Sequence, residues 1–501
     1  MTIHADFVKI LKTDCKQAFT DKFPLSQAPD YAFVDGQVKL MKPDSVQQWN
    51  LFIHLQFKKT VENLFKLGAQ VVVMGFDNYN YVPVSKTMTQ VKRNKYVPVL
   101  KFNEVDELPP AMPADWGGAM RNRAFKVKVI KKVVFELKQW FLNLLRTDEA
   151  WKKKILIIDA DQTPEILHFS RVQSTLDMDA INADKHSNNL SNDAQNSVKD
   201  NTVDNTEDNN GENQENAQKD KEVNANELMQ AILAENETTW IGRGECDIKA
   251  FYWLKYSNRL LVVSTDGDFV PIAMLQLQKM SHLHADINKT VILHRICAQV
   301  NSDTVAGKRK NEIANVSKKR TYEYVDISQL MHYVTQNMPS LNQSPITNFC
   351  ALIAMCGCDF ALNLPRLGPK TIWKFRNQLK YLDLTDRSQV VCAIHILYHN
   401  LFVCKNSFPA HVKNNSEFYK ALNSHDAKKY YENTFTTILH SQRIAERVRT
   451  CLWTTDRTYA HAGNSMWTML YWLDLQHSPH PHSADYGFSF DTKNRTVFAH
   501  A

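Results

Sequence analysis

The chain has 501 residues, 44% of them apolar. That is enough for one large enzyme domain with insertions or for roughly two to four smaller domains. It carries 60 Lys and Arg against 53 Asp and Glu, a net charge of +7. No run of about 18 apolar residues is present and the first residues lack a charged-then-apolar leader pattern. The sequence is therefore expected to be soluble and intracellular, without a membrane partner and not secreted. Nine cysteines agree with a reducing compartment. Cys350, Cys356 and Cys358 fall in one apolar helix-like run with no second cluster to complete a zinc pattern, so buried free thiols are expected.

The charge is unevenly spread. Residues 184–227 hold eleven acids and four bases, a local charge of −7, which leaves +14 on the remainder. Such an excess points to a polyanionic partner, most simply nucleic acid, with a solvated basic surface as the alternative. The 184–227 segment has no aromatic residue and is rich in Asn, Asp, Glu, Gln and Lys. It cannot bury enough surface to offset its ordering entropy, so it is expected to be a disordered insertion between two α/β halves.

In chain order, Phe7, Ile10 and Leu11 predict a short amphipathic helix, followed by a strand at Tyr31–Val34, a helix over about Val46–Leu67 and a strand at Val71–Phe76. A basic stretch runs from Tyr79 to Arg123, then a long helix over about Lys126–Leu145 and a strand at Ile155–Ile158. The second half opens with a helical pattern over about Glu227–Glu235 and continues with a helix after Asp247. Strands at Leu260–Ser264 and Thr290–His294 come next. A basic loop, Lys308–Arg320, precedes a strand at Tyr322–Val325 and a helix at Ile327–Gln336. Beyond residue 361 the pattern is largely helical. Strands alternating with helices predict an α/β fold with a mainly parallel central sheet flanked by helices. No phosphate-cradling glycine loop or dinucleotide fingerprint occurs, which argues against ATP-driven chemistry.

Acids close several of the apolar runs: Asp35 after Tyr-Ala-Phe-Val, Asp77 after Val-Val-Val-Met-Gly-Phe, Asp266 and Asp268 in Leu-Val-Val-Ser-Thr-Asp-Gly-Asp, and Asp359 in Ala-Met-Cys-Gly-Cys-Asp-Phe. Glu245 and Asp247 form a further pair in Gly-Arg-Gly-Glu-Cys-Asp. Acids placed after parallel strands gather at the C-terminal edge of the sheet, where open α/β folds bind ligands. Singly, each is as well explained by a turn or a helix cap. In this order they predict a two-metal phosphodiesterase, because two cations roughly 3.5–4 Å apart generate the nucleophile and clamp the leaving oxygen. An all-oxygen ligand set suits Mg²⁺. Asp159 and Asp161, in Ile-Leu-Ile-Ile-Asp-Ala-Asp, share the same grammar and are expected to be structural.

With these acids in this order, the chain resembles the flap endonuclease family of structure-specific 5′ nucleases, over about residues 30–95, 240–295 and 322–376. Ser264-Thr265-Asp266-Gly267-Asp268, Gly357-Cys358-Asp359-Phe360 and Leu364-Pro365-Arg366-Leu367-Gly368-Pro369-Lys370 carry the resemblance. It implies a PIN-like fold, two Mg²⁺ ions with Mn²⁺ as a substitute, and Asp35, Asp77, Glu245, Asp247, Asp266, Asp268 and Asp359 around them. It implies that Lys86 and Arg93, seven residues apart, contact the scissile phosphate, with Lys92 and Lys95 as competitors for these roles or as backbone contacts. A helix-hairpin-helix turn at Gly368-Pro369-Lys370 would hold duplex phosphates. Arg366 stands where the family usually has glycine and is a further candidate contact. Tyr79 and Tyr81 are placed to stack on a base.

The resemblance divides the chain into 1–183 and 228–350, the two halves of the nuclease domain, with an arch-like segment at 79–123. The insertion 184–227 lies between them. A helix-hairpin-helix element at 351–395 and a helical C-terminal region at 396–501 follow. The expected partner is DNA carrying a 5′ flap, nick or gap, at a nuclear or viral replication site. No sliding-clamp peptide is recognisable, and the diverged spacing is similar to relatives encoded by large DNA viruses. An RNA-cleaving relative and a non-catalytic nucleic-acid-binding scaffold are the competing expectations. The clusters Lys308, Arg309, Lys310 and Lys318, Lys319, Arg320 suit phosphate contact, nuclear import or plain solvation.

Overall fold

A computed structural model describes residues 3–24, 28–41, 46–77, 102–103, 105–160, 164–169, 224, 227–228, 230–231, 245–283, 289–298, 320–338, 340, 343–357, 364, 367–379, 382–402, 455–473, 488–491 and 496–499. Apart from a few residues at 224–231, the acidic insertion lies outside them, as does the basic loop up to Lys319.

The first half contains α1 (Ile3–Asp14), β1 (Phe19–Thr20), β2 (Tyr31–Asp35), α2 (Gly36–Lys39) and α3 (Trp49–Ile53). A π-helical turn at His54–Lys58 joins α3 to α4 (Lys59–Lys66), and then come β3 (Val71–Gly75), α5 (Trp116–Ala119), α6 (Arg123–Thr147), β4 (Ile155–Asp159) and β5 (Glu165–Leu167). The second half contains α7 (Cys246–Tyr252), β6 (Arg259–Val263), α8 (Phe269–Leu283), β7 (Thr290–Ala298), β8 (Arg320–Asp326), α9 (Ile327–Asn337), α10 (Pro345–Cys356), α11 (Pro369–Phe375), α12 (Arg387–Phe402) and α13 (Thr455–Leu473).

Eight strands form one mixed sheet in the order β1-β8-β7-β6-β2-β3-β4-β5. The five central strands, β7 to β4, are parallel, and the outer pairings β1–β8, β7–β8 and β4–β5 are antiparallel. Parallel strands covered on both faces must be apolar throughout, and β2, β3 and β4 are buried at all five positions. Their side chains alternate between two cores. Tyr31, Phe33, Val71, Val73, Ile157 and Val262 face the core built with α1 and α7 to α13. Ala32, Val34, Val72, Met74, Ile158 and Val263 face the core built with α3 to α6.

The expected central helix is present but changes pitch at His54–Lys58. The wider turn seats Phe57, whose ring stacks on Phe76 at 6.2 Å and meets Phe52 edge-on at 5.8 Å. β1 and β5 escape sequence reading because two and three residues are too few to show alternation. The expected boundaries at 350/351 and 395/396 fall inside α10 and α12, and the largely helical C-terminal region also holds an antiparallel strand pair, Phe488–Asp491 with Thr496–Ala499. α13 packs on α8, α10 and α12, and its last carbonyls accept from Gln276 Nε2 (2.6 Å to Trp472) and Lys279 Nζ (3.1 Å to Leu473). The helix is thereby capped by side chains of α8.

Cys350 and Cys356 are buried free thiols, as expected. Among the described residues no helix is long and apolar enough to cross a membrane. Deleting residues 186–222 is expected to leave the thermal midpoint and yield of soluble protein unchanged, because a stretch without aromatic residues adds little to a core and loop length costs stability only slowly. A collapse of soluble yield would count against reading it as an insertion.

Candidate metal centre

The register of the central strands decides where their acids go. Asp35 lies opposite Gly75, Gly75 opposite Asp159, and Val34 opposite Val263, one residue before Ser264. All four strands therefore end at one edge. Side-chain alternation then assigns a face: Asp35, Asp77 and Asp159 follow Phe33, Val73 and Ile157 at even spacing, on the face covered by α7.

Asp35 caps α2 through Oδ1, which accepts from the Gln37 amide at 2.9 Å, and its Oδ2 accepts from Ser264 Oγ at 2.8 Å. The Asp266 amide donates to the same Ser264 oxygen at 3.2 Å, and the Asp268 amide donates to Asp266 Oδ1 at 3.2 Å. A single relay thus links the β2 acid to the loop acids that precede α8. Asp77 Oδ1 accepts from the Cys246 amide at 2.9 Å, which brings the start of α7 to the end of β3. Glu245 stands at the N-cap of α7 and Asp247 in its first turn. Both are buried, as are Asp35 and Asp268, whereas Asp266 is half-buried.

Six of the seven expected metal acids are thus described and reach this edge or the helix against it. Among the described residues no three His, Cys, Asp or Glu side chains converge closely enough to hold a metal ion, so the gathering is one of strand ends and not of ligand atoms. Asp359 lies outside the described residues. The helix before it is described: Cys350 Sγ donates to the Pro271 carbonyl at 3.5 Å and Thr347 Oγ1 to Gln278 Oε1 at 3.3 Å. α10 therefore runs antiparallel to α8, and its end at Gly357, with φ of 107°, faces the end where Asp268 begins α8.

Lys86, Lys92, Arg93 and Lys95, with Tyr79 and Tyr81, lie outside the described residues, but both ends of their segment are fixed. It leaves after Asp77 and returns at Phe102, whose carbonyl accepts from Asn122 Nδ2 at 3.0 Å and whose ring meets Phe125 at 5.2 Å. Phe125 in turn meets Trp116 at 6.1 Å, and Trp116 Nε1 donates to the carbonyl of Leu40, which follows α2.

Arg366 is also outside the described residues. Gly368 precedes α11, a Cβ there would meet nothing within 4 Å, and Lys370 is exposed. α11 is anchored behind this turn: Trp373 Nε1 donates to Asp14 Oδ2 at 3.0 Å, its ring lies edge-on to Phe349 at 5.7 Å, and the Arg376 guanidinium sits 4.3 Å from its centroid.

No protein-family model matches the chain, and no curated protein matches it. The fit to a cation rests on the residues themselves. Burial pushes the Asp35 carboxyl above its usual range, and Asp77 adds to this against the opposing bonds from Ser264, Gln37 and Cys246. A buried carboxyl whose ionised form is disfavoured in this way is what a divalent cation would relieve. Burial, followed by Asp35 and Asp77, also pushes the Cys246 thiol well up, which keeps its sulfur protonated and leaves oxygen as the ligand chemistry. That set suits Mg²⁺ or Mn²⁺ and disfavours thiolate-seeking metals.

Sequence reasoning missed Lys249. It is 1% exposed, in a helix buried from end to end, and pairs with Asp159 at 2.7 Å. The only sequence signal is a lone cation in Cys-Asp-Ile-Lys-Ala-Phe-Tyr, which by itself reads as snorkelling. Asp159 thus has the structural partner expected of it, and Asp161 lies outside the described residues.

Gly75 shows how little slack the edge has. A Cβ at Gly75 would fall 2.2 Å from Phe33 Cζ and 3.1 Å from Cys246 Sγ. Gly75→Ala is expected to lower stability by about 1–3 kcal/mol, the usual range for overpacking a core. Urea unfolding checks this, and an unchanged midpoint would show that Phe33 moves aside freely.

Proposed function

We propose that the chain is a Mg²⁺-dependent, structure-specific 5′ nuclease of the flap endonuclease type, with a PIN-like fold, acting on flapped, nicked or gapped DNA. The observation that carries this reading is the shared edge: parallel strands β2, β3 and β6 deliver Asp35, Asp77, Asp266 and Asp268 beside Glu245 and Asp247 of α7. Asp359 completes the set by sequence. Two bound Mg²⁺ ions would supply a hydroxide near neutral pH and neutralise the leaving oxygen.

The chain's own residues do the rest. Asp35 and Asp77 present oxygens from rigid strand ends, and Ser264 holds Asp35 and the Asp266 loop in register. Lys86 and Arg93, in the basic segment that follows Asp77, would offset charge on the scissile phosphate. Gly368 leaves its backbone open to an approaching phosphate, and Lys370 adds a point charge. The +14 carried outside residues 184–227 supplies general affinity for the polyanion.

The test is cleavage of end-labelled 5′-flap, nicked and gapped DNA and of matched RNA, with Mg²⁺, with Mn²⁺ and with chelator. Metal-dependent cutting near the flap junction is expected. No product with either metal would overturn the nuclease reading. Cutting of RNA in preference to DNA would keep the metal hydrolase and overturn the DNA assignment.

A further inference from the structure

We infer that Lys249 is a positioning residue of the carboxylate centre. Its buried ammonium, with Asp159 as counter-ion, fixes the strand end that carries Asp77 against the helix start that carries Glu245 and Asp247. The inference rests on the metal-centre reading and names what prearranges that centre.

Both members of the pair are 1% exposed. Burying two charges costs more than their attraction returns unless the remaining donors and acceptors are also satisfied. Lys249 meets that condition on the donor side: Nζ donates to Asp159 Oδ1 at 2.7 Å, to the Phe76 carbonyl at 2.9 Å and to the Asp159 carbonyl at 3.3 Å. An ammonium has three protons, and three acceptors surround this one. An apolar residue of the same volume would fill the space without holding any of them.

The positions of those acceptors make the pair more than a core contact. Phe76 immediately precedes Asp77, and Asp159 closes β4. Lys249 sits one turn after Glu245, whose carbonyl accepts the Lys249 amide at 3.0 Å. One nitrogen therefore ties the ends of β3 and β4 to α7. The same helix is tied to Asp77 a second time by the Cys246 amide at 2.9 Å. One tie leaves a pivot, whereas two fix the direction in which α7 presents Glu245 and Asp247. Partners one step behind metal ligands commonly set affinity by fixing ligand orientation.

The test uses full-length Lys249→Met/Asp159→Asn, which removes both charges together so that no unpaired carboxylate stays buried. Mn²⁺ binding to the DNA-free protein is measured by calorimetry beside thermal unfolding. The double variant is expected to unfold near the wild-type midpoint, to bind Mn²⁺ roughly 10–100-fold more weakly and to lose kcat with little change in KM for DNA. Wild-type Mn²⁺ affinity in the folded double variant would overturn the inference. A double variant unable to fold would make the pair a folding requirement and overturn a separate positioning role. Asp159→Asn alone strands the buried Lys249 ammonium without its counter-ion and is expected to unfold at a lower temperature than the double variant; a wild-type midpoint in that single variant would overturn the pairing. Wild-type protein that binds no Mn²⁺ would overturn the metal centre itself, a result distinguishable from all of these.

Discussion

Asp35→Asn and Asp266→Asn are each expected to reduce kcat by roughly 10³-fold or more, about 4 kcal/mol of barrier, while DNA affinity stays within a few-fold. Asparagine preserves the local bonds. At position 35 its oxygen still accepts from the Gln37 amide, and the Ser264 hydroxyl can turn to accept from the new amide nitrogen. On the proposed reading, what is lost is negative charge that would hold the cation, and with it the water that the cation would activate. Binding survives because the basic surface is untouched. Single-turnover cleavage with Mg²⁺ and fluorescence anisotropy with the same flap substrate separate the two quantities. Wild-type turnover in either variant would remove these acids from the chemistry.

Trp373→Ala is expected to lower stability by about 3–5 kcal/mol, the range for emptying an aromatic site in a core. Trp373 is 6% exposed and touches two segments distant in sequence, Asp14 of α1 and Phe349 of α10, as well as Arg376 just beyond α11. Trp373→Phe keeps most of the volume and removes only the indole N–H, so it is expected to cost about 1.5–3 kcal/mol, the value for a hydrogen bond to a charged group. Equilibrium urea unfolding orders the two. Should the alanine variant match wild type, Trp373 is not the anchor that holds the Gly368 turn in place.

The central strands were legible in the sequence because they are buried on both faces. Tyr-Ala-Phe-Val, Val-Val-Val-Met and Leu-Leu-Val-Val are apolar and buried throughout, and an acid within three residues of each run marks its end. The sheet edge and its acids could thus be read from local pattern alone. The Lys249–Asp159 pair could not, since its members lie 90 positions apart and meet only because β4 pairs with β3. The π-helical turn at His54–Lys58 was equally hidden, because it is selected by Phe57 packing on Phe76 and not by local propensity. The place of the C-terminal helix was not legible either, because Trp467, Tyr471 and Trp472 are buried in a core shared with helices from earlier in the chain.

Chain order and spatial order disagree in the central sheet, and this sets how the protein can be taken apart. Strands β2 to β5 come from before the acidic insertion and β6 to β8 from after it, yet β6 lies against β2, and β1 lies against β8. Phe7 of α1 likewise packs on Phe349 of α10 at 6.3 Å. A protease cut within residues 186–222 would therefore give two polypeptides held together by a parallel ladder, an antiparallel ladder and a shared core. Such a nicked molecule is expected to elute as one particle in native size exclusion and to separate only in denaturant. Each piece alone would expose a bare strand edge, β2 on one and β6 on the other, each a template for the missing half or for aggregation. The seam that makes this chain hard to fold in pieces is also the place where it can be divided into a complementing pair.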